Sequence, residues 1–191
     1  GAISLRGARP GESRVYLDGV EIPYLYHFQQ YASVVHTRLL DEVAVYPSAF
    51  AADYGDATGG VVAVQTREPD PTQVHGGVTL NTIMGGAYVQ APAGEHVAVS
   101  ASARRSYADL AEDSNDQYTS WPVFWDYLSR VDLRPDSAGR YAMTVLGAGD
   151  EYGRFASDTA ALDPLESADA PDFRYSRRFH GALLTARHAG E

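Results

Sequence analysis

Hydrophobic and polar positions follow two different patterns along this chain, and the change falls near Asp70-Pro71. Before it, short extended runs alternate with turn residues, and the Asp18-Gly19 pair is typical of a tight turn between strands. Residues 29–40 fit a helical repeat loosely, with Ser33 as a possible cap. The first part therefore predicts a small mixed α/β unit of about seventy residues, with strands at 3–6, 14–17, 42–46 and 61–66.

After this boundary the chain alternates with a period of two, which is typical of β-strands with one apolar and one polar face. In the clearest run, residues 97–104, valine and alanine share one face, while serine and arginine lie mainly on the other. Met84-Gly85-Gly86 predicts a tight turn, and the two faces of the last run stay unassigned. The expected strands are 74–81, 87–91, 97–104, 123–134, 141–147 and 175–188.

Two architectures are compatible with this alternation. An antiparallel meander in a bilayer has strands of about 9 to 11 residues, with short turns on one side and long loops on the other. A soluble β-sandwich alternates in the same way. Periodicity alone leaves both open.

The charge and composition of the chain exclude some classes of function. The 25 acidic residues outnumber the 15 basic ones, all of them arginine, and the net charge of −10 argues against non-specific nucleic-acid binding. The absence of cysteine removes disulfides and thiolate sites. Residues 106–116 and 150–172 hold eleven acidic residues and one arginine, so these two stretches carry the whole imbalance.

Five elements of the first part occur in an order that resembles the plug domain of TonB-dependent outer-membrane transporters. They are Ile3-Ser4-Leu5-Arg6-Gly7, Val15-Tyr16-Leu17-Asp18-Gly19-Val20, Leu40-Asp41-Glu42-Val43, Tyr54-Gly55, and Gly59-Gly60 followed by residues 61–66. The resemblance implies a membrane β fold: a mixed α/β plug domain over 1–70, followed over 71–191 by the first six or so antiparallel strands of a large transmembrane barrel.

The sequence departs from the family pattern in places. Only Pro47 remains of an Arg-Gly-Pro triplet that usually follows the third element, and nothing before Ile3 supplies the segment that contacts the energising protein. About six strands also cannot close a barrel, and open edges are not viable in lipid. We therefore expect a fragment of a longer, N-terminally more complete chain.

Strand direction predicts where the acidic stretches lie. If the plug ends on the periplasmic side, the strands place 106–122 and 150–174 outside the cell and the short turns inside. The resemblance thus implies the outer membrane of a Gram-negative bacterium, with acidic loops extracellular. This agreement favours the barrel over the sandwich.

The segment 23–31 is the most unusual in composition and supplies the candidate ligand-binding residues Tyr24, Tyr26, His27 and Phe28. Rigid aromatic side chains stack on ligands at low entropic cost. The alternative is that they pack the plug against the barrel wall. Arg104 and Arg105 are further candidates, for an anionic ligand or lipopolysaccharide phosphates, or for pairing with the nearby acidic loop.

A second group concerns the attachment of plug to barrel. By resemblance, Arg6 is expected to form a buried ion pair with a wall carboxylate such as Asp126 or Asp132, since a buried lone charge needs a partner. Trp121, Trp125 and Tyr127 suit an interfacial aromatic girdle, although a soluble core would use tryptophan similarly.

No catalytic constellation emerges from the sequence. The six histidines have no zinc-ligand spacing, residues 55–60 lack the lysine of a phosphate loop, and 150–172 lacks the spacing of a calcium loop. We expect no enzyme, cofactor or metal site. The expected function is import of a scarce ligand, with outer-membrane lipid, the rest of the barrel, a TonB-type energiser and an unknown small ligand as partners. A structural or adhesion component of the outer membrane and a soluble carbohydrate-binding domain are the alternatives.

Overall fold

Two β-sheets, one against the inner face of the other, make up the described part of the chain. The computed structural model describes residues 3–9, 11–30, 32–107, 118–119, 123–136, 138–156 and 173–188. The core between the sheets combines Leu17 and Val64 from the smaller sheet and Val35 from a connection between its strands with Leu128 and Leu146 from the larger one. Burying these side chains together is what fixes the first sheet on the second.

The smaller sheet has four strands in the order β2-β1-β4-β3. β1 (Ser13–Leu17) and β2 (Val20–Ile22) form a hairpin, whose turn residues Asp18 and Gly19 have φ of 49° and 87°, as the sequence predicts. β4 (Gly60–Thr66) pairs parallel with β1 and antiparallel with β3 (Leu40–Tyr46). The central strand β4 is an almost continuous apolar run, and it is accordingly almost completely buried.

Two local predictions in this part are wrong. Residues 3–6 are not a strand, because Arg6 (φ 53°) and Gly7 turn the chain and the Ala8 amide donates to the Leu5 carbonyl. The expected helix over 29–40 is replaced by two 3-10 turns, Phe28–Gln30 and Thr37–Leu39, and residues 32–36 between them are not helical. The apolar residues there are buried as predicted, but β-branched neighbours such as Val34-Val35 disfavour a helix.

The larger sheet is an antiparallel meander in the order β5-β6-β7-β9-β10-β11. It confirms the predicted six long strands, and a two-residue strand, β8, pairs with the end of β10. The bounds are β5 (His75–Leu80), β6 (Met84–Pro92), β7 (Val97–Ser106), β8 (Tyr118–Thr119), β9 (Val123–Leu133), β10 (Gly139–Ala156) and β11 (Phe173–His188).

Two boundaries in this sheet differ from the prediction. Met84-Gly85-Gly86 begins β6 rather than forming a turn; the turn lies just before it, where the Asn81 carboxamide accepts from the amides of Ile83 and Met84. β10 continues to Ala156, so Asp150 and Glu151 belong to a strand and not to a loop.

The predicted alternation of faces is confirmed. In β7, residues 98, 100, 102, 104 and 106 are buried against the smaller sheet, and the residues between them point outward. In β9 the buried positions are 124, 126, 128, 130 and 132. Pairing with β10 also assigns the last strand, with Arg177, Phe179 and Leu183 inward and Arg178 and His180 outward.

The two ends of the larger sheet differ. The connections 93–96 and 134–138 are short and lie at one end, here called the turn end. The opposite end, where β7 and β10 end and β9 and β11 begin, is called the loop end. Most of the two acidic stretches, 108–117 and 157–172, and Trp121 lie outside the described residues. No helix in the described ranges is long and apolar enough to cross a membrane.

Candidate functional site

Residues 23–30 form a narrow turn that carries His27 towards the larger sheet. The Val34 amide donates to the Leu25 carbonyl at 2.7 Å, and the His27 amide donates to the Ala32 carbonyl at 2.9 Å. Gln30 takes a left-handed conformation, with φ of 63°, and closes the turn. Backbone pairing thus fixes the direction in which the His27 ring points.

His27 is fully buried between two carboxylates of the larger sheet. Its Nδ1 lies 2.8 Å from Asp150 Oδ1, and its Nε2 lies 3.0 Å from Asp126 Oδ2. Ionised carboxylates only accept, so both ring nitrogens must donate and the ring is an imidazolium. The Phe124 ring stacks on it, with centroids 4.5 Å apart.

Arg104 of β7 ties the first of these carboxylates to the smaller sheet. Its Nε donates to Asp126 Oδ1 at 3.0 Å, and its Nη2 donates to the backbone carbonyl of Ser33. The guanidinium therefore donates both to an aspartate of its own sheet and to a backbone carbonyl in a connection of the smaller sheet.

Arg177 of β11 has the same role at the second carboxylate. Its Nε donates to Asp150 Oδ2 at 2.7 Å, and its Nη2 donates to the Tyr26 carbonyl at 2.9 Å. The guanidinium also lies over the Tyr24 ring, 3.6 Å from the centroid. We call the five charged groups the His27 cluster: His27, Asp126, Asp150, Arg104 and Arg177.

The His27 cluster holds three cations and two anions when the ring is charged. Burial opposes protonation of His27, but the hydrogen bonds and negative charges of Asp126 and Asp150 outweigh it and raise the pKa of the imidazole. The phenol of neighbouring Tyr24 is buried beside Asp150, and both effects raise its pKa, so it stays neutral. The charged cluster joins the first sheet to four consecutive strands of the long meander, β7, β9, β10 and β11.

A second polar contact joins the two sheets nearer the turn end. Arg130 Nε and Nη2 bind both oxygens of Asp132, at 2.6 and 3.1 Å, in a fork. Its Nη1 donates to Thr66 Oγ1 at 2.5 Å and lies 3.6 Å from Asp18 Oδ2. Thr66 also donates to Asp18 from both its amide and its hydroxyl. We call these four residues the Arg130 cluster.

The aromatic candidates are divided between the core and its edge. Tyr24 is buried and meets Phe179 edge to face, and Tyr26 is half-buried beside the core. Phe28 is partly buried and stacks on Tyr152 of β10 at 5.0 Å, with Tyr175 of β11 at 5.9 Å. Only Phe28 thus lies among rings that remain partly exposed at the loop end.

The arginine candidates also separate. Arg104 is buried in the His27 cluster, whereas Arg105 points outward from β7 and is exposed. Arg6 is exposed in its turn, and no ion pair joins it to Asp126 or Asp132 in the described structure. The expected pairing of Arg6 is therefore corrected: His27 and Arg104 occupy Asp126, and Arg130 occupies Asp132.

Sequence reasoning missed Asp150, Arg177 and the ring pair Tyr152 and Tyr175. The sequence pattern predicts an acidic loop around Asp150 and leaves the two faces of the last strand unassigned. It therefore gives no signal for the roles of Asp150 and Arg177. The alternation that begins at Tyr141 continues along β10 to Ala156, and it places Asp150 and Tyr152 on the inward face. In the described part of the chain, no group of three or more histidine, aspartate or glutamate side chains is arranged to hold a metal ion.

Comparison with known families identifies the first sheet. Residues 1–61 match the family model described as the TonB-dependent Receptor Plug Domain. This match over the N-terminal third of the chain confirms the resemblance noted from the sequence. Among curated proteins, no sequence matches.

Solved structures extend the similarity to nearly the whole chain. The outer membrane transporter YddB from Escherichia coli matches with a TM-score of 0.65 and 14% identity, over 98% of this chain and 30% of that one. The siderophore receptor PirA from Acinetobacter baumannii matches with 0.62 and 15%, over 97% and 31%. The ferric enterobactin receptor PfeA from Pseudomonas aeruginosa matches with 0.58 and 13%, over 98% and 32%.

These matches define the architecture. At such identities the likeness shows the fold: a plug domain against the inner face of the opening strands of a receptor barrel. The chain spans about a third of the length of the solved receptors that it matches. The plug family and the matched folds are those of receptors and transporters and not of enzymes. We use "plug" and "wall" below for the smaller and the larger sheet.

Proposed function

We propose that the protein is a receptor of the Gram-negative outer membrane that imports a scarce small ligand through a plugged β-barrel. The plug family match and the receptor fold support this class. The observation that carries the proposal is the His27 cluster, which holds the plug against the wall with buried charges. A plug attached in this way blocks the lumen until an energy source rearranges it.

The energy source is proposed to be a TonB-type protein of the inner membrane, acting through a segment on the N-terminal side of residue 3. Removing one member of a buried ion pair costs about 3–5 kcal/mol. Plug movement that separates the His27 cluster therefore needs work from outside the barrel. This is the physical reason for assigning energised transport to the protein rather than passive diffusion.

The proposed ligand contact lies at the loop end, where Phe28 meets Tyr152 and Tyr175. Of the residues suggested by the sequence, Phe28 is proposed to touch a ligand directly, and the half-buried Tyr26 to contact it at the edge of the core. Tyr24, His27 and Arg104 would act on binding by holding segment 23–31 in position. Arg105 points away from the plug, so it is not part of this proposed contact.

Uptake measurements test the import proposal. Iron-starved cells with and without the complete gene would be given ferric catecholate and hydroxamate chelates labelled with radioactive iron, a choice suggested by the siderophore receptors with the same fold. Uptake of one chelate that needs both the gene and the energiser supports the proposal. If no chelate enters, import of this ligand class is rejected.

The same cells distinguish the alternative of a structural or adhesion component. That alternative predicts weakened attachment or a leaky outer membrane on deletion, with no energiser-dependent uptake. A protein that stays soluble without detergent would contradict both outer-membrane assignments and favour the soluble carbohydrate-binding domain.

The proposed orientation, with the acidic stretches outside the cell, has a separate test. The 191 residues contain no cysteine, so single cysteines can be placed freely. Ala168→Cys should react with a membrane-impermeant maleimide on intact cells, whereas Ala138→Cys at the turn end should react only after the membrane is opened. The reverse pattern would invert the orientation.

A further inference from the structure

A polar cleft of about 530 Å³ lies between plug and wall at the turn end. Its lining comprises Arg38 and residues 67–71 on the plug side and, on the wall side, His75, Tyr88, Gln90 and Arg134. None of the described residues that line the cleft belongs to the His27 cluster or to the Arg130 cluster. The cleft is therefore a separate polar region of the plug–wall contact.

Backbone hydrogen bonds bring two arginines of the plug side together. The Arg67 amide, just beyond the end of β4, donates to the Leu39 carbonyl at 2.8 Å. Arg38 lies in the 3-10 turn before β3, where its amide donates to His36 Nδ1 at 3.1 Å. Both arginines are exposed and line the same side of the cleft.

The two carboxylates of the cleft already have donors of their own. Glu68 accepts from Arg134 Nη2 at 3.1 Å and from Arg140 Nη1 at 2.8 and 3.0 Å. Asp70 accepts from backbone amides of the turn that follows it, and its second oxygen lies 2.9 Å from His75 Nε2. Neither acid is bound by the arginines at 38 and 67.

Donors without an acceptor thus remain on both sides of the cleft. The guanidinium groups of Arg38 and Arg67 form no hydrogen bond or ion pair within the described ranges. Gln90 is only 5% exposed, and its carboxamide has no hydrogen-bond partner among the residues that the structure describes. Arg134 Nε is likewise buried with no acceptor in this part of the chain. Buried polar groups are normally paired, so this surplus of donors is typical of a site for an acceptor-rich ligand.

We propose that the cleft binds a small anion with two or more carboxylate or phosphate groups. Arg38 and Arg67 bind it from the plug, and Arg134 and the Gln90 carboxamide bind it from the wall. Guanidinium groups bind both kinds of acid in a fork, and two neighbouring ones favour a ligand with more than one acidic group. Because both sheets supply donors, the site is complete only while the plug is seated, and movement of the plug releases the anion.

This inference depends on the geometry of plug and wall and not on the proposed import. A bound anion adds a contact between the two sheets, so it stabilises the seated plug by mass action. The site also differs in place from the proposed ligand contact at Phe28, which lies at the loop end.

Calorimetric titration of the complete gene product, purified in detergent, tests the site. The probes are succinate and inorganic pyrophosphate, with succinamide as the uncharged counterpart of succinate. We expect one or both anions to bind and succinamide not to bind, and the tighter anion identifies the acidic group that the site prefers. Arg38→Gln and Arg67→Gln should each weaken binding about tenfold, the loss expected for one hydrogen bond to a charged group.

Two further variants separate a built site from general attraction by positive charge. Gln90→Leu leaves the net charge unchanged and should also weaken binding about tenfold, because it removes a buried donor. Arg9→Gln is the matched control, since it removes the same charge from the exposed surface of the plug, and it should bind as the unaltered protein does.

Binding of neither anion, or equal binding of succinamide, would overturn the proposal. So would undiminished binding by Arg38→Gln and Arg67→Gln, or an equal loss in the Arg9→Gln control. Uptake by cells is measured separately, so rejection of the import proposal would leave a positive titration standing, and a negative titration would leave import untouched.

Discussion

At the scale of single residues, His27 is the group on which the plug–wall contact depends most. Replacing it by leucine keeps much of the volume but leaves Asp126 and Asp150 without their shared donor. We expect His27→Leu to lower the opening free energy of segment 24–36 by about 3–5 kcal/mol, because a buried charge loses its partner. Hydrogen exchange of the complete receptor in detergent measures this, and exposed His75→Leu is the control. Equal protection in His27→Leu would show that the cluster contributes little.

The charge on His27 also predicts a dependence on pH. Its folded pKa is raised, so its contribution to stability is fully present below the unfolded pKa of about 6.5 and is lost as the pH rises through the higher folded value. Asp126 and Asp150 face the ring and favour its charge, whereas Arg104 and Arg177 lie behind them and Phe124 is neutral. Protection of segment 24–36, corrected for intrinsic exchange, should therefore fall at alkaline pH.

The variant His27→Gln isolates this effect. Glutamine keeps an amide donor for one carboxylate but does not titrate between pH 6 and 9, a range chosen to bracket the histidine. Its protection should be lower than that of the unaltered protein and independent of pH across this range. A fall of the same size in both proteins would assign the pH dependence to another group.

At the scale of elements, Gly147 and Gly149 of β10 allow the rings of Tyr127 and Trp125 to lie close to the outward face of the wall. A Cβ on Gly149 would lie 2.6 Å from the Trp125 ring. We expect Gly149→Val to displace the indole and to destabilise the folded barrel by about 1–3 kcal/mol, as overpacking does. The shift of tryptophan fluorescence and the unfolding midpoint in urea would measure both effects. Gly181→Ala is the control, because its nearest atom is a flexible Leu146 methyl at 3.4 Å.

The elements also show what could be predicted from the sequence. Alternation identified the wall strands and their faces because a period of two is a local property of each strand. It gave the wrong start for β6, since Gly85-Gly86 suits a turn as well as a strand over which the Arg104 side chain packs. The His27 cluster was not predictable, because it joins residues up to 150 positions apart through strand register and plug docking. The sequence suggested a ligand contact for His27 and an ion pair with Arg6 for Asp126, and so did not connect the two residues.

At the scale of the whole molecule, the acidic residues of the two stretches that account for the net charge of −10 do not all lie outside the strands. Asp150 and Glu151 lie in the wall, where the first neutralises His27 and Arg177 and the second pairs with Arg174. Buried acids at the plug–wall contact are therefore compensated. The acidic residues of 106–116 and of 157–172 carry nine of the ten excess negative charges in the sequence, and we propose that they face the medium.

The membrane location itself can be tested with two arginine substitutions at outward positions that lie at different distances from the loop end of the wall. Val145 and Ser176 both point outward, but Val145 lies beside the exposed apolar pair Met143 and Leu184, whereas Ser176 lies nearer the loop end. An arginine near the bilayer midplane of a barrel costs about 2–4 kcal/mol, and near the interface about 0–1 kcal/mol. We therefore expect Val145→Arg to reduce folding of the complete chain into phospholipid vesicles strongly and Ser176→Arg to leave it almost unchanged. Folding can be followed by the heat-sensitive gel mobility that closed barrels show. Equal costs at the two positions would mean that the outward face does not contact lipid, and the outer-membrane assignment would then have to be abandoned, while the plug fold would stand.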